Sequence, residues 1–202
     1  MSDPYGYAAE DFRSVQATLT ASALQKGHKT FIVVGPDVGS RSTYTAANLA
    51  IAFAQTRLRT LLIDANLRQP QIAETLGLEK FQPGFIDALI DNQIETASIN
   101  KDVIPCLDVL TSGSGTAAPH EVLSLETFEL LAKHVQRIYD VVVYDTSDAT
   151  RSSDAFIVAS RAKGATIVKG RQHRNTVAEI RDISKKLERF RCLTIGSIME
   201  RA

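Results

Sequence analysis

FIVVGPDVGSRSTYTAAN, residues 31–48, decides the fold of this chain. An apolar run, Phe31-Ile32-Val33-Val34, leads into a small-residue loop holding Gly35 and Gly39, and the loop runs through Ser42 and Thr43 into an alanine-rich helix. A strand, a glycine loop and a helix in that order make a phosphate-binding shape, because the loop's amides and the positive helix N-terminus point at one spot. The pattern of a working phosphate loop is G-x-x-x-x-G-K-[ST], and this loop departs from it. Counted forward from Gly35, Ser40 stands where the second glycine belongs and Arg41 where the lysine belongs; counted back from the helix, Arg41 replaces the glycine and Ser42 the lysine. In both registers the loop holds no lysine.

The rest of the chain sets the bounds of the reading. At 202 residues it is long enough for one domain with a sizeable core. Its formal net charge is zero, which argues against nucleic acid as a partner and leaves an oligomer plausible. The two cysteines, Cys106 and Cys192, have no metal-ligand spacing, and their scarcity fits a reducing compartment. No apolar run approaches the roughly 20 residues that span a bilayer, and the N-terminus reads as no signal peptide.

Residues 1–7 read as a flexible tail and 8–202 as a single domain. Phe12, Val15, Leu19 and Ala23 recur at helical spacing, which predicts a helix over 8–25. After the loop's helix (43–56), buried strands are expected at Thr60–Asp64, Leu107–Leu110, Val141–Asp145, 165–169 and 193–198. Between them lie short helices at Ile72–Leu76 and Phe85–Ile90, a helical stretch over 119–137 broken near Ser124, and helices at 154–161 and 176–190. Apolar strands alternating with helices predict an α/β fold: a mostly parallel sheet with helices on both faces, of the P-loop NTPase type. Ligands of such sheets bind outside the carboxyl ends of the strands, where the glycine loop, Asp64 and Asp145 are expected to converge.

Taken together, TAANLAIAFAQ after the loop, TLLIDANLRQP, LTSGSG followed by PHEVLSLETFELL, YDVVVYDT followed by SSDAF, and Glu10-Asp11-Phe12-Arg13 resemble a known family. It is that of the bacterial tyrosine kinase (BY-kinase) domains that partner polysaccharide chain-length regulators in capsule and exopolysaccharide export, within the deviant P-loop ATPases that include the cell-division and partitioning ATPases. The resemblance covers nearly the whole chain and needs no gap when Ser42 takes the lysine position. It implies nucleotide contacts at Gly35, Gly39, Arg41, Ser42, Thr43, Asn66 and Arg68. It implies metal and catalytic roles for Thr43, Asp64 and Asp145, and ring assembly through Glu10 and Arg13. The family's strand-end D-x-D reads Asp64-Ala65-Asn66 here, its E-x-x-R-x-x-R motif ends in Gln16, and Ser147 and Asp148 stand where two prolines usually follow the later aspartate. The chain stops at Ala202 without the family's tyrosine-rich tail.

These departures set the functional expectation. A charge-assisted hydrogen bond is worth about 1.5–3 kcal/mol, so losing the lysine costs a transition state at least about one to two decades in rate. If the position of Arg41 needs the left-handed backbone that a glycine supplies, arginine there costs about 1–2 kcal/mol, and Asn66 cannot act as a base. The site is therefore expected to be vestigial, with no cofactor; ATP or ADP with Mg2+ is expected only if Arg41 substitutes for the lysine, which would make the chain an active autokinase. The expected partners are the cytoplasmic part of a transmembrane polysaccharide co-polymerase, further copies of the chain or a catalytic relative, in a capsule, exopolysaccharide or holdfast complex. The expected location is the cytoplasmic face of the bacterial inner membrane. Simple structural roles are assigned elsewhere: Tyr44 to packing, Lys169 and Arg171 to a solvated pair, Arg68 to a carboxylate of the same or another subunit.

Overall fold

Every residue of the opening strand is buried, and its alternation sorts side chains to two cores. Phe31 and Val33 face one side of the sheet, Ile32 and Val34 the other, as the two-residue period of a strand requires. The computed structural model describes residues 7–79, 82–92, 98–115 and 118–201. Except for Tyr7, which opens a helix, the expected tail lies outside the described residues.

In chain order the elements are α1 (Tyr7–Ser22), β1 (Thr30–Val34), α2 (Ser42–Gln55), β2 (Thr60–Asp64), α3 (Ile72–Leu76), α4 (Phe85–Ile90), β3 (Asn100–Ile104), β4 (Leu107–Leu110), α5 (Pro119–Ser124), α6 (Thr127–Ile138), β5 (Val141–Asp145), α7 (Asp154–Ala162), β6 (Ala165–Arg171), α8 (Val177–Arg189) and β7 (Leu193–Glu200). Among the described residues they form a seven-stranded sheet in the order β3-β4-β2-β5-β1-β6-β7, parallel except for β3 against β4. The expected α/β fold is thus observed, with one addition. β3 has a polar, largely solvent-facing sequence at the sheet edge and carries no strand periodicity.

One core lies between the sheet and α1 and α2, where Phe31 stacks on Phe53 at 5.2 Å. Ala46, Ala47, Ala50 and Ala54 let α2 approach the strands closely. The other core lies under α4 to α8, where Phe85, Phe128 and Tyr144 meet edge-on or tilted at 5.2–6.4 Å. The break at Ser124 separates α5 from α6 as the sequence predicts, whereas the first helix ends earlier than residue 25 and gives way to a single 3-10 turn, Leu24–Lys26. β6 and β7 each run two residues past their expected ends, to Arg171 and Glu200. That extension is what brings Glu200 to the functional end of the sheet.

Candidate functional site

β1 lies between β5 and β6, and β2 pairs with β5 on the far side. This order puts the glycine loop, Asp64 and Asp145 at the same end of adjacent strands, with Asp64 opposite Asp145 in register. A second loop braces the first. Ala149 N donates to the Gly35 carbonyl at 2.9 Å, Thr150 Oγ1 donates to the Pro36 carbonyl at 2.7 Å, and Thr146 Oγ1 donates to Val33 O at 2.8 Å.

The loop itself corrects one expectation. Two of its amides do not point outward: Ser40 N donates to Asp37 O at 3.0 Å and Arg41 N to Val38 O at 3.3 Å, closing a 3-10 turn over Val38–Ser40. Ser40, fully buried, also donates its hydroxyl to Asp37 O at 2.6 Å, and it packs against Gly35, where an added Cβ would lie 3.1 Å from Ser40 Cβ and 3.2 Å from Ser42 Cβ. Two of the loop's amides are thus spent on its own carbonyls.

Arg41 has φ 57 and ψ 41, the left-handed conformation that glycine adopts without steric cost. α2 begins at the next residue, Ser42. This geometry fits the register in which Arg41 replaces the glycine and Ser42 the lysine. The Arg41 side chain turns outward: its guanidinium lies 4.7 Å from the centre of the Tyr44 ring and donates to Glu200 Oε1 at 3.2 Å. Tyr44 packs edge-on against Phe12 of α1 at 5.9 Å, the packing role expected of it.

The carboxylates are dry. Asp64, 1% exposed, accepts from Ile72 N at 3.0 Å and Asn66 N at 3.2 Å, so it ties the strand end to the start of α3. Burial nevertheless pushes its pKa up to about 7, against those backbone bonds. Asp145, fully buried, accepts from Thr43 Oγ1 at 2.7 Å; burial and then the neighbouring Asp64 charge hold its pKa well above the ordinary carboxylate range. Each of the two buried acids disfavours ionisation of the other. Asp145 Oδ1 has no hydrogen-bond partner, a buried oxygen left for something outside the protein. A hydroxyl and two carboxylates are the hard oxygen donors that Mg2+ takes together with water and phosphate oxygens, so Thr43, Asp64 and Asp145 fit that ion. Among the described residues no group of three or more His, Cys, Asp or Glu side chains gathers as a protein-only metal cage.

The other expected site residues have partners of their own. Arg68 pairs with a carboxylate of the same subunit, one of the roles expected of it, its guanidinium donating to both oxygens of buried Asp154 at 2.6 and 3.3 Å. Asn66 Oδ1 accepts from Gln69 N at 3.3 Å, a local turn contact. Glu10 and Arg13 pair at 2.9 Å one turn apart on the outer face of α1. Gly39 lies beneath the Arg174 side chain, which would clash with any Cβ there.

The solvated pair expected of Lys169 and Arg171 is overturned at Lys169. That side chain is 1% exposed and donates to Glu200 Oε2 at 2.9 Å and Gly170 O at 2.8 Å. Glu200 and Arg174 carried no signal of their own in the sequence, whereas Lys169 closes the buried run Ala165-Thr166-Ile167-Val168 at a strand end near the expected base pocket.

No protein-family profile matches the chain. Among curated proteins it is similar to the tyrosine-protein kinase YwqD of Bacillus subtilis (strain 168), 30% identical over 168 residues covering 83% of this chain and 70% of that one. It is also similar to the putative tyrosine-protein kinase EpsB of Ralstonia solanacearum, 30% identical over 89% of this chain but only 24% of that protein. The chain thus spans about a quarter of the Ralstonia relative's length. Among solved structures it superposes on the kinase domain of the Escherichia coli tyrosine kinase ETK with a TM-score of 0.91 at 24% identity, over 100% of this chain and 78% of that one. The VpsO kinase domain gives 0.83 at 27% identity over 98% and 100% of the two chains. The septum site-determining protein MinD of Pyrococcus horikoshii OT3, solved with Mg-ADP, shares the fold at a TM-score of 0.71 and 16% identity over 85% and 69% of the chains.

Proposed function

The chain belongs to the bacterial tyrosine-protein kinase family, and from that premise we propose that it is a kinase-fold module with little or no phosphotransfer of its own. It serves as a regulator or scaffold of a membrane polysaccharide synthesis and export complex, docked on the cytoplasmic part of a transmembrane co-polymerase beside catalytic relatives or further copies of itself. Among the described residues no helix is long and apolar enough to cross a membrane.

One observation carries the reading. Where the loop needs a cation, Ser42 stands, and the neighbouring Arg41 is held outward between Tyr44 and Glu200. Phosphoryl transfer is chiefly positioning and charge stabilisation, and a serine hydroxyl supplies no charge. Asn66 removes the second strand-end acid, leaving Asp64 and Asp145 without a third carboxylate to accept a proton from a tyrosine hydroxyl. Mg2+, when bound at Thr43, Asp64 and Asp145, would neutralise charge on phosphate oxygens.

That retained donor set favours a second reading, an active tyrosine autokinase in which Arg41 swings inward as the phosphate clamp. Incubating the purified protein with ATP and Mg2+ separates the two. The proposed function expects no phosphate release and no phosphotyrosine above background. Micromolar ATP binding with phosphate release and self-labelling would overturn it. Capture from native membranes, followed by identification of the bound transmembrane protein, tests the docking half.

A further inference from the structure

The buried ammonium of Lys169 has no role in the reading above. Its neighbours along β6 are buried, and Ala165, Ile167 and Val168 among them are apolar. An ion in such a place persists only where a counter-charge and hydrogen bonds meet it. Glu200 is that counter-charge, and it is shared: Oε2 accepts from Lys169 Nζ at 2.9 Å while Oε1 accepts from Arg41 at 3.2 Å. One carboxylate therefore answers two cations. Two residues further along β6, Arg171 Nε is buried with no hydrogen-bond partner, and Arg174 lies over Gly39 of the loop, 3.6 Å from Asp37. Arg41, Lys169 and Arg174 thus stand beside the loop whose lysine is missing. Two oxygens of one anion spread over two cationic groups is also how a phosphate is held by charged side chains.

We propose that Glu200 is a built-in stand-in for phosphate: its carboxylate occupies an oxyanion site formed by Arg41 and Lys169, and a diphosphate-type anion that displaces it binds those cations in place of the missing loop lysine. The loop in this state is self-liganded. The proposal rests on the reading of Ser42 as the lysine position, and it concerns binding rather than transfer. Lys169 is the positioning cation delivered from a neighbouring strand, and Glu200 sets whether the site is open.

Calorimetric titration with inorganic pyrophosphate tests this on the whole chain. Glu200→Gln keeps the shape of the side chain and removes its charge; pyrophosphate is expected to bind it at least tenfold tighter than the wild type. Glu200→Asp keeps a counter-charge for Lys169 but is one methylene too short to span both cations, and a severalfold gain is expected. Adding Lys169→Met to Glu200→Gln is expected to return the affinity to the wild-type value or below. An affinity within twofold of wild type in a folded Glu200→Asp or Glu200→Gln protein overturns the proposal, as does a gain that survives Lys169→Met. Should Glu200→Gln fail to fold, Glu200→Asp alone decides. Phosphate transfer by the wild type would defeat the proposed function and leave this site standing; unchanged pyrophosphate binding would defeat only this site.

Discussion

Arg41 concentrates the chemistry of this chain in one position. It occupies a backbone conformation that suits glycine, and its side chain is half-exposed and tethered to Glu200. The left-handed backbone costs an arginine about 1–2 kcal/mol, which a half-exposed ion pair of about 1 kcal/mol at most and the contact with the Tyr44 ring, about 0.5–1 kcal/mol, roughly offset. Restoring the phosphate-loop pattern with Arg41→Gly and Ser42→Lys is expected to raise ATP affinity at least tenfold in a calorimetric titration. No gain would mean that the self-bonded Ser40 turn, rather than the missing charge, closes the site. The loss of the lysine was legible in the sequence. The outward course of Arg41 was not, because its partner is 159 positions away and nothing local to the loop announces it.

At the scale of elements, the bond from Thr43 to Asp145 clips α2 to the end of β5 inside the sheet. Thr43→Val keeps the volume and removes the donor, leaving a buried carboxylate oxygen unpaired. The expected cost is about 1–3 kcal/mol in urea unfolding, larger than that of an isosteric change at an exposed hydroxyl such as Thr18. On α1, the pair of Glu10 and Arg13 is solvent-facing, which by itself is worth a few tenths of a kcal/mol. If α1 also contacts other copies, Arg13→Ala lowers the sedimentation coefficient at high concentration; an unchanged profile would discard the assembly role. Helices and buried strands were readable from their periods, since burial on one or both faces imposes them. The edge strand β3, Asn-Lys-Asp-Val-Ile, escaped because no face of it is buried deeply enough to impose an alternation.

For the whole molecule, the acid pair makes stability depend on pH. Asp64 and Asp145 have folded-state pKa values above their ordinary 3.8, with Asp64 at about 7. The folded protein therefore binds protons more tightly than the unfolded chain, and this contribution is full below about pH 4 and lost as the pH rises towards 7. Asp140 acts in the opposite sense: the Arg59 guanidinium holds its pKa below 3.8, so its contribution is present above that pH and lost beneath it. The thermal midpoint is thus expected to be higher near pH 5 than at pH 8. Asp64→Asn is expected to flatten that slope, and Mg2+ to raise the midpoint at pH 8 by neutralising the ionised pair. A midpoint that rises steadily from pH 5 to 8 would contradict the buried-acid account.

The chain's own residue order was enough to specify a parallel α/β sheet, a glycine loop between a strand and a helix, acids at strand ends and the absence of a loop lysine. Each of these is written in local period and spacing, which burial and backbone geometry impose directly. The convergence of Asp64 and Asp145 at one end of the sheet was expected, but only the order of strands fixed their registry, β2 beside β5, and brought Lys169 onto Glu200, β6 beside β7. Pairings across more than thirty positions follow from which strands become neighbours, and no local pattern encodes that choice.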